Sequence, residues 1–263
     1  MRIKISVATA SFQMDLRMAI QRAMQMGAHG VQFDLRNELF PGAYGESARR
    51  QVLHYLAERN LEVASGHFPL RGTLMDPDRL DQRLAAVADA IEFAASLKIR
   101  RMTLRPGPLP EADSPEREDL LQALSELAGV GNRQGVTLCL MPSGDSGEAL
   151  LRLLEDVKTG PVAVDADLAD WVLNNQSYVQ EMRTLFRFIG HIEARDAARG
   201  LGGKGREVPI GRGEIEWDEV AALLGEMDYT GWINVQRTEG NDRLGDIARG
   251  VQYLWNLFSG GME

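Results

Sequence analysis

Eight short runs rich in aliphatic and β-branched residues alternate with eight longer segments of helical apolar spacing, and that alternation restricts the fold more than any single motif does. The runs cover residues 3–9, 30–35, 62–68, 101–105, 136–141, 162–165, 188–195 and 232–236. The helical patterns cover 15–26, 47–59, 77–97, 115–132, 147–157, 168–186, 217–227 and 244–257, the sixth being the least regular. In the third, Leu80, Leu84, Val87, Ile91 and Ala94 form one stripe. The fourth opens on Ser114 as N-cap, with Pro115 in the first turn and Glu116 and Glu118 complementing the helix dipole. A helix between successive strands is long enough to return the chain for parallel pairing. Eight such units predict an α/β fold, a (β/α)8 TIM barrel, with an open doubly wound sheet as the alternative. The 263 residues fit the roughly 250 that one barrel needs, and no linker divides them, so 1–263 is expected to be a single domain.

Charge and cysteine content narrow the partners. A net charge of -9 argues against a nucleic-acid backbone, which selects a basic stripe. The one cysteine, Cys139, sits in the apolar run Val136–Leu140, where a buried thiol is expected, and it excludes an internal disulfide framework. No run approaches the roughly 18 apolar residues of a membrane span, and the first residues do not read as a signal peptide. These features predict a cytoplasmic protein with no membrane partner. No apolar stripe demands self-association, so a homodimer stays an open alternative. The glycine-rich stretch 200–205, GLGGKG, is expected to be a mobile loop, and it lacks the Gly-Lys-Ser/Thr ending of a phosphate cradle.

In a barrel, substrate meets the C-terminal ends of the strands and the loops that follow. The strand list therefore nominates Gln32, Asp34 and Arg36, then His67 and Arg71, then Arg105, Met141, Asp165 and Asp167, and last Glu193, Arg195, Asp196, Gln236 and Arg237. Arg36, Arg71, Arg105, Arg195 and Arg237 all fall at one rim. Guanidinium groups match carboxylate or phosphate oxygens, so the cluster suits a small anionic ligand; equally, it suits ion pairs with Asp34, Asp165, Glu193 and Asp196. His67, between Gly66 and Pro69, is read as a proton shuttle or ligand donor, the other reading being support of the strand end. His191 is expected in the core or behind the site, and His54 is expected to be structural.

Two further stretches carry a resemblance. Val208-Pro209-Ile210-Gly211-Arg212-Gly213-Glu214-Ile215-Glu216-Trp217, followed by Tyr229-Thr230-Gly231-Trp232-Ile233-Asn234-Val235-Gln236, resembles the last two units of the xylose isomerase-like TIM barrels. Gly30-Val31-Gln32, Ser65-Gly66-His67 and Ile192-Glu193-Ala194-Arg195-Asp196 extend the resemblance over essentially the whole chain. That superfamily includes sugar and sugar-phosphate isomerases and epimerases, inosose dehydratases and apurinic endonucleases.

The resemblance implies a divalent cation held at the ends of the fifth to eighth strands by Glu, Asp, His and Glu. Here those positions carry Met141 (or Pro142), Asp165, Glu193 and Gln236, so one of the four keeps the family's residue. Gln32 and Arg105 stand where the family often has Glu and His. A hard cation prefers several anionic oxygens, so no metal cofactor is expected; Asp165, Glu193 and the Gln236 carbonyl would make a weak Mg or Mn site if one forms. The implied activity is isomerase or epimerase chemistry, a proton moved next to a carbonyl of a small anionic sugar-like compound. Glu193 and Asp165 are candidate bases and His67 the candidate acid, with Arg105, Arg195, Gln236, Gln32, Arg36, Arg71 and Arg237 binding substrate. The alternative is a non-catalytic relative that binds a ligand or a protein; endonuclease action is disfavoured by the charge and the lost ligands.

Overall fold

Near-continuous apolar runs must be buried on both faces, and parallel strands covered by helices meet that demand. The computed structural model of the protein describes residues 3–200 and 205–259; residues 201–204, most of the glycine-rich loop, lie outside the described residues. The barrel strands are β1 (Lys4–Ala8), β2 (Gly30–Asp34), β3 (Glu62–His67), β4 (Arg101–Leu104), β5 (Thr137–Leu140), β6 (Val162–Asp167) and β7 (Ile189–Ala194), closed by β10 (Trp232–Val235) after a short hairpin of β8 (Asp196–Ala198) and β9 (Arg206–Val208). They close in the order β1-β10-β7-β6-β5-β4-β3-β2, all neighbours parallel. The expected (β/α)8 barrel is therefore present, and the open sheet is not.

The outer layer consists of α1 (Leu16–Gln25), α2 (Glu46–Ala57), α3 (Leu80–Ser96), α4 (Pro115–Gln134), α5 (Gly147–Asp156), α6 (Leu168–Leu173), α7 (Tyr178–Leu185), α8 (Trp217–Glu226) and α9 (Arg243–Ser259). Ser114 caps α4 as expected, its hydroxyl accepting from the Arg117 N–H at 3.2 Å. The irregular sixth pattern resolves into two helices, because Asn175 takes a left-handed φ of 58° between them and Ser177 caps the second. None of the described helices is long and apolar enough to cross a membrane.

Two irregularities and one hairpin were not legible as strand patterns. The register shifts between Val31 and Gln32 where β2 meets β3, and between Val164 and Asp165 where β6 meets β7. Each shift leaves one extra residue on the partner strand, which re-aims the side chains beyond it. Ser65 thereby comes opposite Gln32, and His191 opposite Asp165. The antiparallel hairpin β8–β9 follows β7 and is fastened by Asp196, whose carboxylate accepts from the N–H groups of Ala197 (2.8 Å), Gly211 (2.8 Å), Gly213 (3.2 Å) and Ile215 (3.4 Å) and from the Trp217 indole (3.3 Å). The Gly211–Trp217 segment is thus wrapped on one buried carboxylate. Gly213 belongs there because a Cβ would strike Asp196 and the Ala197 carbonyl.

Replacing Asp196 leaves several buried donors unpaired at about 1 kcal/mol or more each. We expect Asp196→Ala to lower stability by about 3 kcal/mol, a fall of roughly 6–12 °C in melting temperature for a chain of this size. A thermal melt followed by circular dichroism measures it, and an unchanged melt would refute the role.

Candidate active site

The lumen of the barrel carries a layer of polar side chains bonded to one another across it. Gln32 on β2 donates its amide to Glu193 Oε1 on β7 at 2.7 Å, and Asn234 on β10 donates to Glu193 Oε2 at 2.8 Å. Ser6 on β1 in turn donates to Asn234 Oδ1 at 2.9 Å. From β7 the His191 ring reaches Asp165 on β6 through Nδ1 at 2.8 Å and Ser65 on β3 through Nε2 at 3.0 Å. β2 and β3 are not neighbours of β7, so these bonds run through the lumen. Asp165 and His191 are 0% exposed and Glu193 is 1% exposed.

Burial, more than any neighbouring charge, sets the protonation of this layer. Desolvation, aided by the Asp165 charge, pushes the Glu193 carboxyl up to about 8. Asp165 is raised well above the usual carboxylate range by burial and by Asp167, and its Oδ2 has no hydrogen-bond partner. Burial lowers His191 to about 4, so its ring is neutral near pH 7. The donor atoms of Asp165, His191 and Glu193 lie within 4.8 Å of one another, which makes these the residues that could hold a metal ion among those described. In the arrangement seen, both Glu193 oxygens and both His191 nitrogens are engaged by protein partners, which leaves Asp165 Oδ2 as the one uncommitted donor.

A cleft of about 390 Å³ opens at the C-terminal end of the barrel, lined by residues that include His67, Thr73, Arg105, Met141, Arg195, Gln236 and Thr238. His67 is held through Nδ1 by the Thr103 hydroxyl at 3.0 Å, and burial brings its value down to about 4. That contact is the side-chain hydrogen bond of the ring among the described residues, and it engages Nδ1. The charge of Arg105, which lines the cleft, acts on both His67 and the sealed Asp165.

Carboxylates occupy the cleft arginines. Arg195 contacts Asp167 at 2.6 Å and Glu207 at 2.7 Å. Arg105 contacts Asp170 at 3.0 Å and Asp167 at 3.3 Å. Arg237 contacts Glu207 at 2.7 Å and Asp246 at 3.0 Å. The rim therefore resolves residue by residue. Arg105, Arg195 and Gln236 reach the cleft, whereas Arg237 is buried behind it. Arg36 donates to the Pro69 carbonyl at 2.7 Å and lies over the Phe68 ring, and Arg71 is exposed on the following loop. Asp165, Glu193 and Gln32 stand in the lumen below and do not line the cleft. Cys139 is buried, as expected. Sequence reasoning did not single out Asp170, Glu207, Thr103, Ser65 or Asn234; His191, expected in the core or behind the site, is fully buried in the lumen within the acid layer.

Folding makes the acid layer hold protons more tightly than the unfolded chain does. Glu193 keeps its proton to about pH 8 when folded but loses it near its ordinary 4.5 when unfolded, so it destabilises the fold progressively as pH rises between those values. Asp165, also raised, acts in the same direction. The two buried histidines, lowered from 6.5 to about 4, act oppositely, and their effect is complete above pH 6.5. From pH 6.5 to 8 stability should fall, by up to about 1.4 kcal/mol per pH unit for each proton involved. Glu193→Gln should flatten that slope in urea titrations run in EDTA; an equal slope in the variant would exclude Glu193 as its source.

Known proteins share this fold. The sequence profile of the family described as Xylose isomerase-like TIM barrel matches residues 20–256. Hydroxypyruvate isomerase of Escherichia coli (strain K12) is 22% identical over 254 residues, covering 90% of this chain and 93% of that protein. The structure of a xylose isomerase domain protein from Planctomyces limnophilus superposes with a TM-score of 0.86 at 18% identity, over 98% of this chain and 97% of that one. A xylose isomerase-like TIM barrel protein from Mycobacterium smegmatis, solved in complex with magnesium, superposes with a TM-score of 0.75 at 17% identity, over 94% and 89% of the two chains. With the profile spanning most of its length and the barrel closed as the profile requires, this chain belongs to the xylose isomerase-like TIM barrel family, whose members include sugar isomerases and epimerases.

Proposed function

We propose that the cleft binds a small polyhydroxy or hydroxy-carbonyl compound and supports proton transfer next to its carbonyl, without a divalent ion. The observation that carries this reading is the convergence of Arg105, His67 and Gln236 on one cleft at the C-terminal mouth, which Arg195 also lines, two positions beyond Glu193 along the chain. Arg105, at the cleft wall, supplies a guanidinium that can donate to an enolate oxygen. His67 is neutral at pH 7; in the tautomer whose Nδ1 accepts from the Thr103 hydroxyl, Nε2–H can donate to a carbonyl oxygen. Glu193, held up to about 8, is mostly protonated at neutral pH and accepts a proton through its ionised fraction, which grows as pH rises towards 8. The name of the Escherichia coli relative points to the same compound class, since hydroxypyruvate is a hydroxy-keto acid.

The metal-free part of the reading rests on the donor set. A divalent ion needs several oxygen or nitrogen donors turned to one point, and here the donors are turned to protein partners. Protein purified without chelator and then incubated with Mn should show well under one metal per chain by elemental analysis. Stoichiometric metal that is lost in Asp165→Asn would overturn this part.

A second reading, ligand binding without turnover, is favoured by the sealing of Glu193 under the Gln32 and Asn234 amides. The two separate in deuterated water. Incubated with dihydroxyacetone or hydroxypyruvate, an isomerase exchanges the proton next to the carbonyl, and we expect His67→Gln to slow that exchange about 100-fold or more. Binding with no exchange by NMR would establish the second reading instead.

A further inference from the structure

The ion pairs around Arg105 bear on which ligands the cleft accepts. Arg105, Arg195 and Arg237 face four carboxylates, Asp167, Asp170, Glu207 and Asp246, so the cluster carries no surplus positive charge. Arg195 and Arg237 are largely buried and held on both sides, whereas the Arg105 side chain is 36% exposed and opens on the cleft. Its exposed end is neutralised chiefly by Asp170, the shorter of its two contacts.

Asp170 is itself built into place. It follows the β6 end on α6, where its N–H donates to Asp167 Oδ1 at 3.2 Å. Its Oδ2 accepts from the Gly144 N–H at 3.2 Å and from the Asn174 amide at 3.3 Å, leaving Oδ1 turned to Arg105 at 3.0 Å. The loop after β5 and the end of α6 thus hold one carboxylate oxygen against the guanidinium that a ligand would approach. An anionic ligand must displace that carboxylate or meet its repulsion, whereas a hydroxyl or carbonyl oxygen can accept from Arg105 without separating the pair.

We infer that Asp170 is a specificity-determining residue that neutralises Arg105 and tunes the cleft to uncharged, hydroxyl-rich ligands over phosphorylated or carboxylated ones. This rests on the cleft being the ligand site, as proposed above. The titratable groups that face Arg105 from the packed elements are His67 on β3, Asp165 and Asp167 on β6 and Asp170 on α6.

The test is calorimetric titration of the full chain with dihydroxyacetone, dihydroxyacetone phosphate, hydroxypyruvate and inorganic phosphate. The natural protein should bind dihydroxyacetone with little dependence on salt, and should bind dihydroxyacetone phosphate and inorganic phosphate at least about tenfold more weakly. Asp170→Asn should strengthen phosphate binding about tenfold or more, with salt dependence, and adding Arg105→Gln should abolish the gain. Asp170→Ser, which places no second amide donor against Gly144, serves if the asparagine variant melts early. If the natural protein prefers phosphate or hydroxypyruvate, or if both Asp170 variants bind phosphate no better, the role of Asp170 is overturned while the cleft remains the ligand site. If none of the four compounds binds, the cleft reading falls with it.

Discussion

The hydrogen bond from the Gln32 amide to Glu193, thrown across the lumen at 2.7 Å, is the contact on which the rest of the site depends. A carboxyl group inside a barrel costs several kcal/mol unless donors or a proton compensate it. Gln32 and Asn234 supply the donors, Ser6 orients Asn234, and the raised value of Glu193 supplies the proton near neutral pH. His191 performs the matching task for Asp165, its ring held between that carboxylate and Ser65. A lumen that usually fills with branched apolar side chains here contains a connected polar floor.

Above that floor, charge is distributed by a second rule. Each cleft arginine lies between two carboxylates, and Asp167 and Glu207 each serve two arginines, so the cluster is fully paired at low exposure. Removing one member of such a buried set is costly, because a charge is left without its partner. The hairpin β8–β9 exists in this structure as the carrier of Glu207, which joins the ends of β7 and β10 through Arg195 and Arg237 and also accepts from the Thr238 hydroxyl and N–H. Fold and site meet there: Asp196 at the base of the hairpin anchors the glycine-rich turn, and Glu207 at its far strand anchors the cleft wall.

Much of this was legible in the sequence. All eight barrel strands lie within about two residues of their expected bounds, since apolar runs between helical patterns leave little choice of period. Reading strand ends as site residues nominated His67, Arg105, Arg195 and Gln236, and these four line one cleft. The same rule put Asp165 and Glu193 among the groups facing substrate, and they are sealed in the lumen. The register shift at Asp165 and the donors that cover Glu193 leave no trace in local spacing. Arg237 shows the same limit: it follows the last strand as a rim residue should, yet Glu207 and Asp246 draw it inward.

The sequence by itself determined the barrel, the family resemblance from Val208 to Gln236 and the presence of Met141 and Gln236 just beyond the fifth and last barrel strands, because each is a matter of local period or residue identity. The tertiary structure alone decided which polar groups meet. Gln32 and Glu193 are 161 positions apart and Ser6 and Asn234 are 228 apart, so no window of sequence contains both members of either pair. The choice between rim arginines free for a ligand and rim arginines held in ion pairs, open in the sequence, was settled for Arg105, Arg195 and Arg237 by carboxylates from α6, β9 and α9 as well as β6. Closing the barrel brings those groups within 3.3 Å of their partners, and burial makes the pairing obligatory.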